Sequence, residues 1–203
     1  LSVEKPGELR SAKLEINLGA CGIRLESGSA QLAEGNTDDK NVKCSASFSD
    51  DRSSASVKYH TQWNNGLYFS KKVINTFKLN KDVDWDISVD TGASDCNMDL
   101  SELKVNNFEY DGGASRLDVA FGDRSSLAKV NIKTGVSEVH LRVPGSAGVR
   151  VSTDNGLSNV NFNGGGWTKK GSVYETDNYE EASCKIDIDA DIGVSNFEIE
   201  RMQ

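Results

Sequence analysis

The stretch Asp84-Trp85-Asp86-Ile87-Ser88-Val89-Asp90-Thr91-Gly92-Ala93-Ser94-Asp95-Cys96-Asn97-Met98 decides the fold. Ile87 and Val89 stand five and three residues before Gly92, and Cys96 and Met98 stand four and six after it, with polar residues between. Apolar residues at every second position mark a strand with one buried face, and a helix of period 3.6 cannot produce them. A strand, a Gly-centred turn and a second strand are therefore expected.

The pattern repeats along the chain. Gly-(small or apolar)-Ser occurs at Gly92-Ala93-Ser94, Gly113-Ala114-Ser115, Gly135-Val136-Ser137, Gly156-Leu157-Ser158 and Gly193-Val194-Ser195, and Gly19-Ala20-Cys21 is a variant. The glycines from Gly92 to Gly156 are 21, 22 and 21 residues apart, the last gap is 37, and Gly19 precedes Gly92 by 73. Five residues before each Gly stand Leu14, Ile87, Phe108, Val130, Val151 and Ile188. Four after stand Ile23, Cys96, Leu117, Val139, Val160 and Phe197; six after stand Leu25, Met98, Val119, Leu141, Phe162 and Ile199. Three before, Ile16, Val89, Tyr110, Ile132, Thr153 and Ala190 are nearly as apolar. Gly is expected at the bend for positive φ, the residue after it should turn inward, and the Ser should bond a backbone group.

A unit of about twenty residues has too few inward side chains to offset the entropy of its own ordering. Stacking units joins the apolar columns and pairs the strands of each unit with its neighbours. The expected fold is all-β: a β-solenoid-like stack of 21–22-residue strand–Gly turn–strand repeats, with a β-sandwich of successive hairpins as the alternative. Residues 1–203 read as one repetitive domain with two insertions. Residues 27–81 carry further strand-like runs, Asn41–Phe48 and Ser54–Gln62, around the acidic turn Ser49-Asp50-Asp51-Arg52, then the aromatic stretch from Trp63 to Phe69. Residues 163–183 form a loop with Gly164-Gly165-Gly166-Trp167. Such insertions are expected to cover the ends of a stack.

Composition limits function. The net charge is −8, from 23 Lys+Arg against 31 Asp+Glu, which excludes a nucleic-acid binder relying on a basic phosphate-tracking surface. No window approaches about 18 consecutive apolar residues. Cys21, Cys44, Cys96 and Cys184 lie far apart without a C-x-x-C and read as buried small hydrophobes. Asp95, Arg116 and Glu138 alternate in charge, as do Asp118 and His140, which suits cross-strand pairing at a few tenths of a kcal/mol each. Asp82-x-Asp84-x-Asp86 and Asp187-x-Asp189-x-Asp191 lack the calcium β-roll pattern and read as solvated edge charges. A triad drawn through His140 has no nucleophile elbow beside it. No catalytic, cofactor or metal residues are assigned, and no enzyme activity is expected. Residues named for partner binding are Trp63, Tyr68 and Phe69, with an exposed sheet edge as the second place a partner would add a strand.

Residues 12–21 (Ala12-Lys13-Leu14-Glu15-Ile16-Asn17-Leu18-Gly19-Ala20-Cys21), Asp90-Thr91-Gly92-Ala93-Ser94, Lys133-Thr134-Gly135-Val136-Ser137, Val149-Arg150-Val151 and Gly193-Val194-Ser195-Asn196-Phe197-Glu198-Ile199 resemble bacterial toast-rack domains. These are similar to the C-terminal part of LiaF-like cell-wall-active antibiotic response proteins. The resemblance implies a repetitive β domain of the cell envelope, extracytoplasmic or tethered to the membrane by a segment outside this sequence, and it supplies no catalytic residues. The expected function is a non-enzymatic scaffold or interaction and sensing module, its partner another envelope protein or the same chain, with no nucleic acid. The rival reading is a polysaccharide lyase or hydrolase on a β-helix scaffold, and a calcium-stabilised stalk is the third.

Overall fold

The computed structural model describes residues 1–62, 73–155 and 159–202. Every regular element among them is a strand: β1 (Ser2–Val3), β2 (Ser11–Leu18), β3 (Cys21–Ser27), β4 (Ala33–Asn36), β5 (Val42–Phe48), β6 (Ser54–Thr61), β7 (Ile74–Leu79), β8 (Asp84–Leu100), β9 (Lys104–Phe121), β10 (Leu127–Pro144), β11 (Gly148–Asn155), β12 (Asn159–Asn163), β13 (Trp167–Lys170), β14 (Val173–Thr176) and β15 (Lys185–Met202). The long strands β8, β9, β10 and β15 each run through the repeat glycine and form both arms of a rung. In the first rung the arms are β2 and β3, and in the last they are β11 and β12.

Neighbouring rungs pair in parallel, and the apolar columns are the register itself. Leu14, Ile87, Phe108, Val130, Ile188 and Val151 are successive partners in one arm; Ile23, Cys96, Leu117, Val139, Phe197 and Val160 are successive partners in the other. Of the eighteen apolar residues at these three offsets, all are buried except Val160 and Phe162, which are half-buried in the final rung. The β-solenoid-like stack is the observed fold.

The order of rungs departs from chain order. The stack runs β2/β3, β8, β9, β10, β15, then β11/β12, so the C-terminal strand enters between the fourth and fifth repeats. Only Gly145-Ser146-Ala147 separates β10 from β11, yet the two do not pair, because β15 fills the slot between them. This placement hydrogen-bonds both edges of the strand bearing Ile186, Ile188, Ala190, Ile192, Phe197 and Ile199. It leaves the shorter Asn-Val-Asn-Phe-Asn strand, with less apolar surface to bury, at the end.

Two details of the bend also differ from expectation. Gly92, Gly113, Gly135 and Gly193 do not have positive φ. Their role is close approach: a β-carbon on Gly135 would lie 3.0 Å from the Gly113 carbonyl oxygen, and one on Gly193 would press harder on the Gly135 carbonyl. The residue after the Gly points outward, so Val136 is 62% and Val194 56% exposed, and Ala20, Ala93 and Ala114 are exposed too. The bend is filled instead by the residue before the Gly: Leu18, Thr91, Thr134 and Ile192 are buried, and the Thr91 hydroxyl donates to the Gly19 carbonyl at 3.0 Å. Ser94, Ser115 and Ser137 bond side chains rather than backbone, Ser115 to Ser137 at 3.3 Å and Ser94 to the Tyr110 hydroxyl at 3.1 Å.

Both ends of the stack are extended by other strands. Beyond β2, the first arm continues into β6 and then β5; beyond β3, the second continues into β7, β4 and β1. At the far end β11 carries the β14–β13 hairpin. There Phe162 stacks on Tyr174 with ring centroids 4.1 Å apart and meets Trp167 at 4.8 Å, covering the end of the core.

Candidate functional site

The stack offers four surfaces: the outer face of each arm, the ridge along the bend, and the terminal strand edges. Trp63, Tyr68 and Phe69 lie outside the described residues.

On the outer face of the second arm, register places unlike charges beside each other. Arg24 meets Asp95 at 3.6 Å and Arg116 meets Glu138 at 3.7 Å. His140 Nδ1 lies 3.6 Å from Asp118 and its Nε2 3.5 Å from Glu200, while Arg142 donates to Asp118 at 2.7 Å. The expected Asp118–His140 pair is present. Glu200 and Arg142 belong to a column seven residues after the Gly, and Glu200 reaches His140 only because β15 lies beside β10. These partly exposed pairs stiffen the face by a few tenths of a kcal/mol each.

On the outer face of the first arm a groove of about 410 Å³ crosses β9, β10, β15 and β11. Lys129, Asp187, Asp189 and Arg150 line it, so acid and base stand side by side. Two of the four are already engaged. Tyr179 donates its hydroxyl to Asp187 at 2.6 Å, and Arg150 stacks on the Tyr179 ring at 3.9 Å while donating to Glu175 at 3.0 Å. Lys170, bonded at 2.6 Å, and then Arg150 hold the buried Glu175 carboxyl below the usual carboxylate range. The Asp82–Asp86 and Asp187–Asp191 runs stay spread along strands; among the described residues no three His, Cys, Asp or Glu side chains gather closely enough to hold a metal.

The cysteines are all free thiols; Cys96 and Cys184 are buried, while Cys21 and Cys44 are half-buried, less than their reading as core residues implies. Burial pushes the Cys21 thiol up to about 11 and raises those of Cys44, Cys96 and Cys184 as well. A protonated thiol is a poor nucleophile, so none is an activated group.

The terminal edges differ in how they end. Strand β13 has four residues, includes Lys169 and Lys170, and is bracketed by Gly164, Gly165, Gly166 and Gly171 at positive φ, which blunts it against further pairing. Strand β5 has seven residues, pairs only with β6 among the described residues, and carries Lys43 as its single charge. Sequence patterning found this strand, but it held no sign that the strand would be terminal.

These features define a class: an all-β stack of parallel rungs whose apolar interior is filled and whose charged faces are largely paired within the sheet. A sequence model described as the N-terminal domain of toast_rack, DUF2154, matches residues 2–142, and the chain belongs to this family. No relative is found among curated proteins. Among solved structures, a candidate cell adhesion protein from Clostridium sporogenes ATCC 15579 superimposes with a TM-score of 0.88 at 20% identity, covering 100% of this chain and 97% of that one. A candidate adhesin from Bacteroides fragilis NCTC 9343 gives a TM-score of 0.36 at 7% identity, covering 95% and 94%.

Proposed function

We propose that this chain is a non-enzymatic module of the bacterial cell surface, a stiff stacked scaffold that presents its edges and bend to protein partners. One observation carries the reading. The outward charges of the second arm are taken up by their neighbours along the sheet, Arg24 with Asp95, Arg116 with Glu138, His140 with Asp118 and Glu200, and Asp118 with Arg142, which is the arrangement of a stiffened face. Family membership and the described role of the Clostridium protein agree with a surface location. The test is retention of whole bacterial cells on a surface coated with the purified chain. Retention that falls when soluble chain is added in excess supports the module; coated and bare surfaces retaining cells equally would sink it.

The polysaccharide lyase or hydrolase reading has one observation in its favour, the groove with Lys129 beside Asp187 and Asp189. Its test is turnover of acidic glycans. Turnover abolished by Asp189→Asn would replace the scaffold reading with a catalytic one.

A further inference from the structure

We infer that strand β5 is a self-pairing edge, and that two copies of this chain join antiparallel through it. The inference rests on the reading of this chain as an interaction module and names the partner as a second copy. The backbone sets the geometry. Gln62 donates to the Asn41 carbonyl at 2.8 Å and Ser49 donates to the Ser54 carbonyl at 3.0 Å, so the odd-numbered residues of the segment turn their main-chain groups toward β6. In an antiparallel pair these groups alternate sides. The N–H and C=O of Cys44, Ala46 and Phe48 therefore point away from β6, where no described strand lies.

The side chains add a second reason. Val42, Cys44, Ala46 and Phe48 lie opposite Thr61, Tyr59, Val57 and Ala55 of β6, and the last three of those are buried. Along β5 this stripe runs from buried Val42 through half-buried Cys44 to exposed Ala46 and Phe48, the last 40% exposed. The core thus ends in an apolar lip with open backbone groups above it.

A second copy fits this lip in one full-length register. With Ser45 opposite Ser45 on a two-fold axis, Cys44 faces Ala46, and Phe48 of each copy faces Val42 of the other, offering its N–H to the Val42 carbonyl while the Val42 N–H stays with the Asp39 carbonyl at 3.2 Å. Even residues meet even residues, as the direction of their main-chain groups requires. Lys43 faces Ser47, so no charged side chain of the strand meets its like. Just outside the strand, exposed Lys40 approaches exposed Asp50 of the other copy, which supplies charge complementarity at both ends. Among the described residues β12 is another strand with one partner, but it is shorter, asparagine-rich, and has Phe162 packed against Trp167 and Tyr174.

Sedimentation equilibrium on the purified chain tests the inference. Seven-residue edge pairing falls below the usual interface size, so the range runs from about 5 to about 500 μM. The mass is expected to rise toward twice the monomer across it. Ala46→Pro removes an outward N–H that β6 does not use, and is expected to keep the chain monomeric throughout with its melting temperature unchanged. In a Cys44→Ala background, Ser45→Cys is expected to form an intermolecular disulfide under mild oxidation, since residues facing across a non-hydrogen-bonded pair lie at about 4.5 Å between Cα atoms. Ser47→Cys, which faces Lys43, is expected to cross-link at least tenfold more slowly. A wild-type chain that stays monomeric at every concentration, as it would if the edge takes a peptide of another protein, overturns the self-pairing. So do a dimer undisturbed by Ala46→Pro and equal cross-linking at positions 45 and 47. Any of these leaves the surface-module reading standing, because cell retention measures it separately.

Discussion

Replacing the stacked glycines one at a time by alanine separates two reasons for their presence. If they serve backbone conformation, every site should suffer alike; if they serve close stacking, the cost should follow the space above each. A β-carbon rests at ease about 3.4 Å or more from neighbouring atoms. At Gly92 the nearest atom would be the Gly19 carbonyl carbon at 3.9 Å; at Gly113 it is the Gly92 oxygen at 3.3 Å, and at Gly135 the Gly113 oxygen at 3.0 Å. At Gly193 the Gly135 oxygen would be nearer still. The rungs must therefore part by nothing, by about 0.1 Å, by about 0.4 Å, and by more than that. The atoms in the way are main chain within the parallel ladder, so they cannot swing aside as a side chain would. Against this, alanine at a compatible φ stabilises by about 0.4–1 kcal/mol through the unfolded chain, whereas overpacking costs about 1–3 kcal/mol. Gly92→Ala is expected to gain up to about 1 kcal/mol, Gly113→Ala to be near neutral, Gly135→Ala to lose about 1, and Gly193→Ala to lose about 2 or more. At about 2–4 °C per kcal/mol for a chain of this size, the melting temperatures should spread over about 10 °C in that order. Thermal and urea unfolding followed by far-ultraviolet circular dichroism reads the series. Equal losses at all four sites, or the largest loss at Gly92, would refute close stacking as the reason.

Other consequences are read just as directly. Val136→Asp adds a charge on the exposed bend and should move the urea midpoint by less than about 0.5 kcal/mol equivalent, while Ile132→Asp four residues earlier should unfold the chain or cost several kcal/mol; the reverse order would mean that the bend faces inward. Glu175 has a folded-state pKa below its unfolded one, chiefly through Lys170 and then Arg150, so its stabilisation is full above the ordinary carboxylate range and is lost as pH falls through the lowered value. Glu175→Gln should accordingly lower stability at pH 7 and flatten the acid side of the stability profile, and a difference from wild type that grows toward low pH would contradict that sign. At pH 8 the native thiols, with Cys21 raised to about 11, should react with a disulfide reagent at least tenfold more slowly than the urea-unfolded chain. Stoichiometric labelling of the native protein at the unfolded rate would show that the thiols are not protected.

Leu14, Ile87, Phe108, Val130, Val151 and Ile188 were recognisable as one column because alternation is local: a strand with one wet face writes it into every second residue. The bend was visible too, but its mechanism was not. A Gly chosen for positive φ and a Gly chosen for a close neighbour look identical in a sequence, and the carbonyl that crowds Gly193 belongs to Gly135, fifty-eight residues away. Separation along the chain likewise hid Glu200 from His140, sixty residues apart, and Tyr179 from Arg150, twenty-nine apart. The strand at residues 42–48 could be read from its pattern, whereas its standing as a terminal edge among the described residues depends on β6 being its one partner there.

What the residues determined alone was membership: which side chains of the two arms face inward, how many rungs there are, and that one rung could not stand without others. What the tertiary structure decided was order. A parallel ladder pairs backbone with backbone and accepts any rung whose apolar columns align, so β15 and β11/β12 were equally eligible to lie beside β10. The choice fell to the burial of the longer, more apolar strand on both its edges. That choice settled which carboxylates surround His140, which rung was left half-covered at the far end, and where the sheet stops.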